Sequence, residues 1–336
     1  MDNTFGTIYR TTTFGESHSR GVGAVIDGCP PNIEISEEII QKQLDRRKPG
    51  TSKLTTQRNE SDTAVILSGV ENGLTLGTPI AVAVMNGDFR PNDYKEFSNV
   101  PRPSHADFTY KAKFGLSASS GGGRASARET VGRVISGAIA MQVLKKFDIE
   151  ISAAVTQIGE VKGSMAEMEK EVEKAMSEKN SIGGIIKCVC KNLPAGLGNP
   201  VFDKIDALLA QAILSIPAVK GFEIGSGFSA GAMKGNEHND LFIMQNGRLK
   251  TASNNSGGVQ GGITNGEDIV FNTVFKPTAT IGLAQETVGY DGKPVLLEGK
   301  GRHDPCVAIR AVPVVEAMAA IVILDLLLRQ KTVGIK

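Results

Sequence analysis

The sequence Val314-Val-Glu-Ala-Met-Ala-Ala-Ile-Val-Ile-Leu-Asp-Leu-Leu-Leu328 is apolar on nearly every side when it is wound as a helix. Pro313 is suited to begin this helix, and the basic residues Arg329 and Lys331 are suited to close it. A helix that is hydrophobic all round is buried on all sides. We therefore predict that it lies between layers of other elements, in the core of the protein.

Strands and helices are interspersed along the rest of the chain without the regular spacing of a doubly wound sheet. Helices are predicted at Ser36–Leu44, from Ser126 to Phe147, from Ser164 to Ser177 and over Asp203–Ile216. Close contact with another helix is predicted for the small residues Gly132, Ser136, Gly137 and Ala140. Strands are predicted at 64–70, 79–85, 151–158, 185–191, 240–244 and 268–275. The pattern favours an α+β fold with antiparallel sheets packed on inner helices, and residues 1–336 are predicted to form one domain.

Composition and charge narrow the class of protein. The chain has 336 residues, with 37 basic and 36 acidic side chains and a net charge of +1, so no overall field attracts nucleic acid or a membrane surface. The longest strictly apolar run, Ala317–Leu324, is much shorter than the ~18 residues of a membrane span, and the N-terminus lacks a signal-peptide pattern. We predict a soluble, cytoplasmic protein that binds neither nucleic acid nor membrane. The four cysteines are at positions 29, 188, 190 and 306. Cys188 and Cys190 would share one face of a strand, and these two are interpreted as buried small hydrophobic residues.

Two neighbouring segments indicate a binding site for an anion. They are Arg102-Pro-Ser-His-Ala-Asp-Phe108 and Gly121-Gly-Gly-Arg-Ala-Ser-Ala-Arg-Glu129. Ser126 and Glu129 have the spacing of a capping box, which predicts a helix whose N–H groups at the start lie beside the glycine loop. Glycines let the backbone approach a ligand closely, and arginines supply planar donors for carboxylate or phosphate. We predict a pocket for a small molecule with several negative charges.

Histidines suggest the chemistry of this pocket. His18, His105 and His303 lie in polar segments next to glycine. No HxxxH or HExxH pair occurs in the sequence, so proton transfer near neutral pH is favoured over metal binding.

Two further segments carry possible ligand groups. Arg46, Arg47 and Lys53 flank a loop rich in Thr and Ser. These cations could close over a phosphate of the ligand, or they could be a charge run exposed to solvent, and the sequence supports the two interpretations equally. The segments 253–262 and 276–280 offer amides, hydroxyls and one ammonium, a set that suits the ring edge and phosphate of a cofactor. The sequence contains no Walker A motif and no GxGxxG between a strand and a helix, so ATP and Rossmann binding lack support.

Seven motifs, in the same order, resemble segments of the chorismate synthase family. They are Phe14-Gly-Glu-Ser-His18, Asp45-Arg-Arg-Lys-Pro-Gly-Thr-Ser52, Arg102-Pro-Ser-His-Ala-Asp107, Gly121-Gly-Gly-Arg-Ala-Ser-Ala-Arg-Glu-Thr130, Pro194-Ala-Gly-Leu-Gly198, Lys276-Pro-Thr278 and Gly301-Arg-His-Asp-Pro-Cys306. The resemblance implies a helical core layer between two mainly antiparallel β-sheets (a β-α-β sandwich) in a homotetramer. It also implies a lyase of the shikimate pathway that converts 5-enolpyruvylshikimate-3-phosphate to chorismate and phosphate by anti-1,4-elimination, with reduced FMN as cofactor.

The same resemblance implies roles for single residues. His18 is similar to the acid that protonates the departing phosphate, and His105 to the histidine beside the flavin that holds its reduced, anionic form. Asp304 resembles the aspartate that helps the flavin take the ring proton, and Ser17 orients it or the substrate. The implied substrate-binding residues are Arg46, Arg47, Lys53, Arg102 and Arg128. The implied flavin-contacting residues are Arg124, Ala125, Ser126, Asn255, Ser256, Gly261, Lys276, Pro277, Thr278, Ala279, Thr280 and Arg302.

Departures and alternatives accompany this resemblance. Lys48 and Lys53 stand where many relatives carry arginine, and lysine cannot form a bidentate fork. A non-flavin enzyme for a phosphorylated sugar or carboxylate would use the same arginines with a simple histidine pair. A non-catalytic module that binds RNA or another polyanion would show nucleic-acid affinity with a steep salt dependence, which the near-zero net charge and the few aromatic residues disfavour. These motifs do not decide whether the flavin is reduced with NADPH by the protein itself or by an external reductant.

Overall fold

The computed structural model describes residues 3–50, 54, 61–87, 99–116, 122–299 and 304–333. Its strands are β1 Thr4–Phe5, β2 Arg10–Gly15, β3 Gly21–Asp27, β4 Ala64–Ser68, β5 Val70–Glu71, β6 Leu74–Thr75, β7 Ile80–Met85, β8 Glu150–Ile158, β9 Val161–Lys162, β10 Gly184–Lys191, β11 Val219–Ile224, β12 Phe242–Gln245, β13 Arg248–Thr251, β14 Val259–Gln260, β15 Ile263–Thr264, β16 Ile269–Phe275, β17 Gln285–Val288 and β18 Pro294–Leu297. Its helices are α1 Glu37–Arg47, α2 Asp107–Phe114, α3 Thr130–Lys145, α4 Met165–Ser177, α5 Ile205–Leu214, α6 Gly235–His238 and α7 Ala308–Thr332.

Two five-stranded sheets form most of the β-structure in the described part of the chain. The first sheet has the strand order β1-β2-β3-β7-β4, and the second has the order β11-β16-β10-β8-β9. Every neighbouring pair in both sheets is antiparallel. The predicted α+β class, with antiparallel sheets, is confirmed.

Each sheet buries one face because side chains alternate along a strand. On β3, Val22, Ala24 and Ile26 are fully buried, whereas Val25 on the opposite face is 37% exposed. On β10, residues 186, 188 and 190 are likewise fully buried. Cys188 and Cys190 therefore belong to the core, and the remaining two cysteines are buried as well. The interpretation of Cys188 and Cys190 as buried small residues is confirmed.

Two long helices connect the sheets. Helix α3 packs on β2 and β3 of the first sheet and on α7, and α7 packs on β8 and β10 of the second sheet. The two helices approach closely at Gly137, where a Cβ atom would lie 2.2 Å from the Cβ of Ala317. The predicted close helix contact is confirmed at Gly137. Gly132 instead packs on a strand, since its Cβ would lie 2.5 Å from the carbonyl oxygen of Gly23.

Helix α7 is longer than predicted. It starts at Ala308, where the N–H groups of Arg310 and Ala311 donate to the carbonyl of Val307. The prediction that Pro313 begins the helix is therefore wrong. Helical hydrogen bonds to the carbonyl of Val307 form before Pro313 is reached. Pro313, which has no N–H to donate, therefore lies inside the helix.

Burial of α7 agrees with its apolar composition. Every residue from 313 to 327 is buried. By length and composition the helix could cross a membrane, but 89% of its most apolar 18-residue window is buried inside the protein, as in a core helix. The predicted position of this helix in the core is confirmed.

The start of α3 differs from its prediction. Two 3₁₀ turns, at Gly123–Ala125 and Ala127–Glu129, precede α3. The Ser126 hydroxyl accepts from the N–H of Arg128 at 3.3 Å rather than from that of Glu129. The capping-box prediction is wrong because the Glu129 carboxylate instead accepts from Arg133 Nε at 2.9 Å. By contrast, the predicted start of α4 is confirmed, with a complete capping box at its first turn.

Candidate functional site

A cavity of about 760 Å³ collects residues from distant parts of the chain. Its volume lies within the roughly 300–1,000 Å³ of typical small-molecule sites. The cationic side chains on its wall are those of Arg47, Arg102, Arg124, Arg128, Arg133, Lys276 and Arg310, and its carboxylates are those of Glu129 and Asp304. His105, Ala125, Ser126, Thr278, Ala279 and Thr280 also line it. The predicted anion pocket therefore gathers most of the residues that sequence motifs indicate.

Asp62 is a fully buried carboxylate that binds two of these arginines. Its Oδ2 accepts from Arg47 Nη1 at 3.2 Å, and its Oδ1 accepts from Arg128 Nη1. Arg47 also donates to Oγ1 of Thr130 at 3.1 Å and to the carbonyl of Ala127 at 2.7 Å. One buried carboxylate is thus shared by two guanidinium groups.

The charge state of Arg47 reflects this setting. Burial, together with the cations Arg310 and Arg128, lowers the pKa of Arg47 to about 9, although Asp62 and Asp304 act in the opposite direction. The side chain is still protonated near neutral pH. Arg47 therefore presents a costly buried charge that an anionic ligand would compensate.

Arg102, His105 and Asp107 form a compact cluster on the wall of the cavity. Arg102 Nε donates to Asp107 Oδ2 at 2.7 Å, and Arg102 Nη2 donates to Oδ1 at 2.8 Å. His105 Nδ1 lies 2.6 Å from the same Oδ1. Burial alone would raise the pKa of Asp107, but hydrogen bonds from Arg102 and His105 hold it well below its usual range. Asp107 is therefore a carboxylate across the working pH range.

The loop that carries Arg124 lines the cavity near the first sheet. Arg124 Nη2 donates to Oγ1 of Thr13 at 2.7 Å, and Nη1 donates to the carbonyl of Gly15 at 3.2 Å. Gly122 has a left-handed backbone (φ 88°), and a Cβ there would lie 2.9 Å from Cε1 of His105. The glycine in this loop is required because the imidazole occupies the space of a side chain.

Asp304 lies at the base of α7, next to the cation Arg310. Arg310 Nη1 donates to Asp304 Oδ2 at 2.5 Å, and Arg310 Nε donates to the carbonyl of Arg47 at 3.0 Å. The backbone carbonyl of Asp304 accepts from the Thr278 hydroxyl at 2.7 Å. Arg310 thus connects the Asp304 carboxylate to the backbone at the end of α1.

The segment 276–280 supplies one ammonium and two hydroxyls to the cavity. Burial, with a smaller contribution from Lys220, lowers the pKa of Lys276. Its Nζ donates to the carbonyl of Pro277 at 3.2 Å, and no carboxylate pairs with it among the described residues. Thr280 is buried and accepts from Arg102 Nη1 at 3.4 Å.

His18 lies in a buried turn that adjoins the cavity loop but is not among the residues that line the cavity. His18 has φ 65°, a left-handed conformation that is uncommon for a residue with a side chain. The N–H of Ser17 donates to the carbonyl of Gly123 at 3.3 Å. The turn that carries His18 and Ser17 is therefore attached to the loop beside the cavity.

Asn86 joins this turn to Arg128. Its Nδ2 donates to the carbonyls of Ser19 at 2.8 Å and Glu16 at 3.3 Å, and its Oδ1 accepts from Arg128 Nε at 2.9 Å. One side-chain amide thus sets the position of Arg128 relative to the turn around His18.

Several predicted site residues lie elsewhere. The N–H groups of Asn255 and Ser256 both donate to the buried Asp240 at 2.8 Å, and these two residues, Gly261 and Pro277 are not among the cavity residues. Arg46 also lies off the cavity, where its two Nη atoms bind the buried Glu316 at 2.5 and 3.0 Å. Lys53, Arg302 and His303 lie outside the described residues.

Sequence reasoning missed several residues that organise the site. They are Asp62, Asn86, Asp107, Arg133 and Arg310. Asp107 lies within one of the seven motifs and Arg310 lies shortly after another, so the charge of both residues could have identified them as part of the site. Asn86 directly follows a strand, which is a weak signal. Nothing local distinguishes Asp62, since its two partners come from distant elements.

Comparison with known proteins decides the family. The family model described as chorismate synthase matches residues 9–328, which is most of the chain. The chain belongs to the chorismate synthase family. The resemblance that the seven motifs indicate is therefore confirmed, and the family is one of carbon–oxygen lyases that act on phosphate esters.

Individual relatives agree with the family match. The chain is 52% identical to the chorismate synthase of Methylacidiphilum infernorum, over 99% of this chain and 98% of the relative. It is 54% identical to that of Thermosynechococcus vestitus, over 98% of both chains. The solved structure described as "Crystal Structure of Chorismate Synthase" aligns with a TM-score of 0.78 and 30% identity, over 97% of this chain and 93% of that one. The likeness to the chorismate synthase family thus extends along the whole chain in both sequence and fold.

Proposed function

We propose that this protein forms chorismate by anti-1,4-elimination of phosphate from 5-enolpyruvylshikimate-3-phosphate, with reduced FMN as cofactor. Membership of the chorismate synthase family supports the reaction. The observation that carries the proposal is the charge of the cavity, whose described wall holds seven cationic side chains and two carboxylates. A substrate with two carboxylates and a phosphate would balance this excess.

The arginines divide into two groups by their contacts. Arg47 and Arg128 both pair with the carboxylate of Asp62, and both line the cavity. We assign them to the substrate's anionic groups, which guanidinium binds as a planar fork. Arg102 donates to Asp107 through Nε and Nη2. We assign its contact with the substrate to Nη1, which lies 3.4 Å from Oγ1 of Thr280.

The described residues fit a phosphorylated planar cofactor. Lys276, Thr278 and Thr280 place an ammonium and two hydroxyls on the wall of the cavity, which His105 also lines. These groups suit a phosphate and the polar edge of a ring system. When bound, reduced FMN would supply the electron density that weakens the C–O bond to phosphate. Arg124 and Ser126 would complete its surroundings.

We assign the transfer of protons to side chains other than these arginines. We assign His18 to protonate the departing phosphate and Asp304 to help remove the ring proton, with Ser17 orienting Asp304 or the substrate. General acid–base catalysis of this kind contributes about 10²–10⁴-fold. Arg310 holds the Asp304 carboxylate in place through the hydrogen bond to its Oδ2.

The arrangement of the whole chain is part of the proposal. The packing of α3 on one sheet and of α7 on the other supports a single β-α-β sandwich over residues 1–336. Exposed apolar side chains on β12 and β13, among them Phe242, Met244 and Leu249, support assembly into a homotetramer. We further propose that the enzyme acts in the cytoplasm on this small substrate, without nucleic acid or membrane partners.

An anaerobic assay with 5-enolpyruvylshikimate-3-phosphate tests the proposal. We expect chorismate only when reduced FMN is present, because the flavin weakens the bond to phosphate. His18→Ala and His105→Ala should lower kcat by about 10²-fold or more. His238→Ala is the control, since His238 bonds Ser226 at 2.9 Å and is not a cavity residue. Equal product without flavin would instead favour the non-flavin enzyme, and full activity of both histidine variants would refute the assigned roles.

A further inference from the structure

We propose that Asp107 is the positioning residue of His105: its carboxylate accepts the Nδ1–H of the imidazole, so that Nε2 is the nitrogen that faces the cavity. The catalytic relevance of this inference rests on the proposed function, in which His105 takes part. The tautomer itself is inferred from distances that do not depend on that function. It adds a residue to the site beyond those that the sequence motifs assign.

The distances within the cluster select the tautomer of His105. Nδ1 lies 2.6 Å from Asp107 Oδ1 and 3.0 Å from Arg102 Nη2. A guanidinium only donates, and an ionised carboxylate only accepts. If Nδ1 accepted from Arg102, it would face the carboxylate oxygen at 2.6 Å as a second acceptor, which is repulsive. Nδ1 therefore carries the proton and donates to Asp107.

Arg102 prevents the carboxylate from turning away. Both oxygens of Asp107 are bound by the guanidinium, at 2.7 and 2.8 Å, and the backbone N–H of Arg102 donates to Oδ2 at 3.2 Å. The Arg102 side chain is 5% exposed and that of Asp107 is 12% exposed. Because the pair is rigid and largely buried, it fixes the plane of the imidazole as well as its tautomer.

The remaining nitrogen is directed to the cavity. In the part of the chain that the structure describes, no residue bonds Nε2 of His105, which lines the cavity. The nearest constraint is Gly122, whose absent Cβ would lie 3.4 Å from Nε2. In neutral His105, Nε2 thus presents a lone pair to a ligand, and in the protonated form it presents an N–H.

Asp107→Asn should reverse the tautomer. An asparagine has one acceptor oxygen, and both positions now face two donors. At the place of Oδ2 both donors, Arg102 Nε and the backbone N–H of Arg102, are fixed, whereas at the place of Oδ1 the imidazole can move its proton and only Arg102 Nη2 is fixed. The oxygen therefore takes the place of Oδ2. The amide NH₂ then occupies the place of Oδ1 and faces Nδ1, which becomes an acceptor. The proton moves to Nε2, so a ligand in the cavity meets a donor in place of a lone pair.

Nitrogen NMR of the ligand-free protein, labelled with ¹⁵N in its histidines, measures this directly. With four histidines in the chain, His105→Ala assigns the signal. We expect a protonated Nδ1 and an unprotonated Nε2 in the neutral form of the wild type, and the reverse in Asp107→Asn. Asp203→Asn is the matched control, because Asp203 pairs with Arg329 at 2.6 Å and does not line the cavity.

Kinetics give a second readout. Asp107→Asn should lower kcat by about 10²-fold or more with a smaller change in KM, and Asp107→Glu should restore part of it. A wild-type protein with the proton on Nε2 would overturn the proposal, and this test needs no Asp107 variant to fold. An unchanged His105 tautomer in a folded Asp107→Asn variant would overturn it as well, whatever the flavin assay shows.

Discussion

Asp62 shows how one buried residue sets the charge of the cavity. It is fully buried and is the shared partner of Arg47 on α1 and Arg128 before α3. A buried charge is tolerated only when it is paired, since solvent cannot compensate it. Asp62 therefore holds both guanidinium groups at the wall of the cavity.

Replacement of Asp62 by Asn should destabilise the fold strongly. Two buried guanidiniums would lose their counter-charge, and breaking such a pair costs about 3–5 kcal/mol. Urea unfolding measures the free energy, with Asp203→Asn as control. The Asp203 side chain is 47% exposed, so its loss should cost only about 0–1 kcal/mol. Equal losses in the two variants would show that Asp62 is not the buried counter-charge described here.

Single-residue roles were predictable only where a motif surrounded them. Arg47, Arg102, Arg128 and His105 stand in segments whose composition indicates anion binding, and they line one cavity. The reciprocal hydrogen bonding of Ser126 and Glu129 was not predictable, because Arg133 one turn later competes for the carboxylate. Local spacing does not reveal which of two partners a side chain will choose.

At the scale of elements, the contact between α3 and α7 determines how closely the helical layer packs. Gly137 lies where the helices are closest, facing Ala317. Glycine in a helix costs about 1 kcal/mol relative to alanine, so its presence here is explained by the approach of the second helix. The composition of the two helices predicts that they are buried, and only their packing shows which glycine touches which neighbour.

Gly137→Ala should therefore destabilise the protein despite its better helix propensity. The new Cβ would lie 2.2 Å from that of Ala317, and such overpacking typically costs about 1–3 kcal/mol. Gly235→Ala provides the control, because a Cβ on this glycine of α6 meets nothing within 4 Å. Thermal unfolding of both variants checks the prediction. A Gly137→Ala protein as stable as the control would mean that the helices are further apart.

At the scale of the whole molecule, the core excludes water from all four cysteines. Burial raises the pKa of Cys29 to about 12 and that of Cys306 to about 11, against 9.0 for a free thiol. A pKa raised by folding gives stability that is complete below the unfolded value. That stability is lost as pH rises from 9 towards 11 or 12.

Urea unfolding at pH 7.5 and pH 10 should show this loss. At pH 10 each of these two thiols should reduce the free energy of unfolding by roughly 1.4 kcal/mol, because only the unfolded chain ionises. Cys29→Ala and Cys306→Ala should each reduce the difference between the free energies of unfolding at the two pH values by that amount. At pH 7.5 their free energies of unfolding report the change in packing alone. A pH dependence identical in wild type and variants would contradict the burial of these thiols.

The sequence alone determined the α+β class, the buried last helix and the family. Each of these depends on local patterns: an apolar run, alternating strands, and motifs in a set order. Only the tertiary structure decided that Asp62 joins Arg47 to Arg128, that Asn86 ties Arg128 to the turn around His18, and that Asp107 orients His105. Hydrogen-bond partners far apart in the chain are chosen by packing, because the energy of each bond depends on a geometry that exists only after the layers have come together.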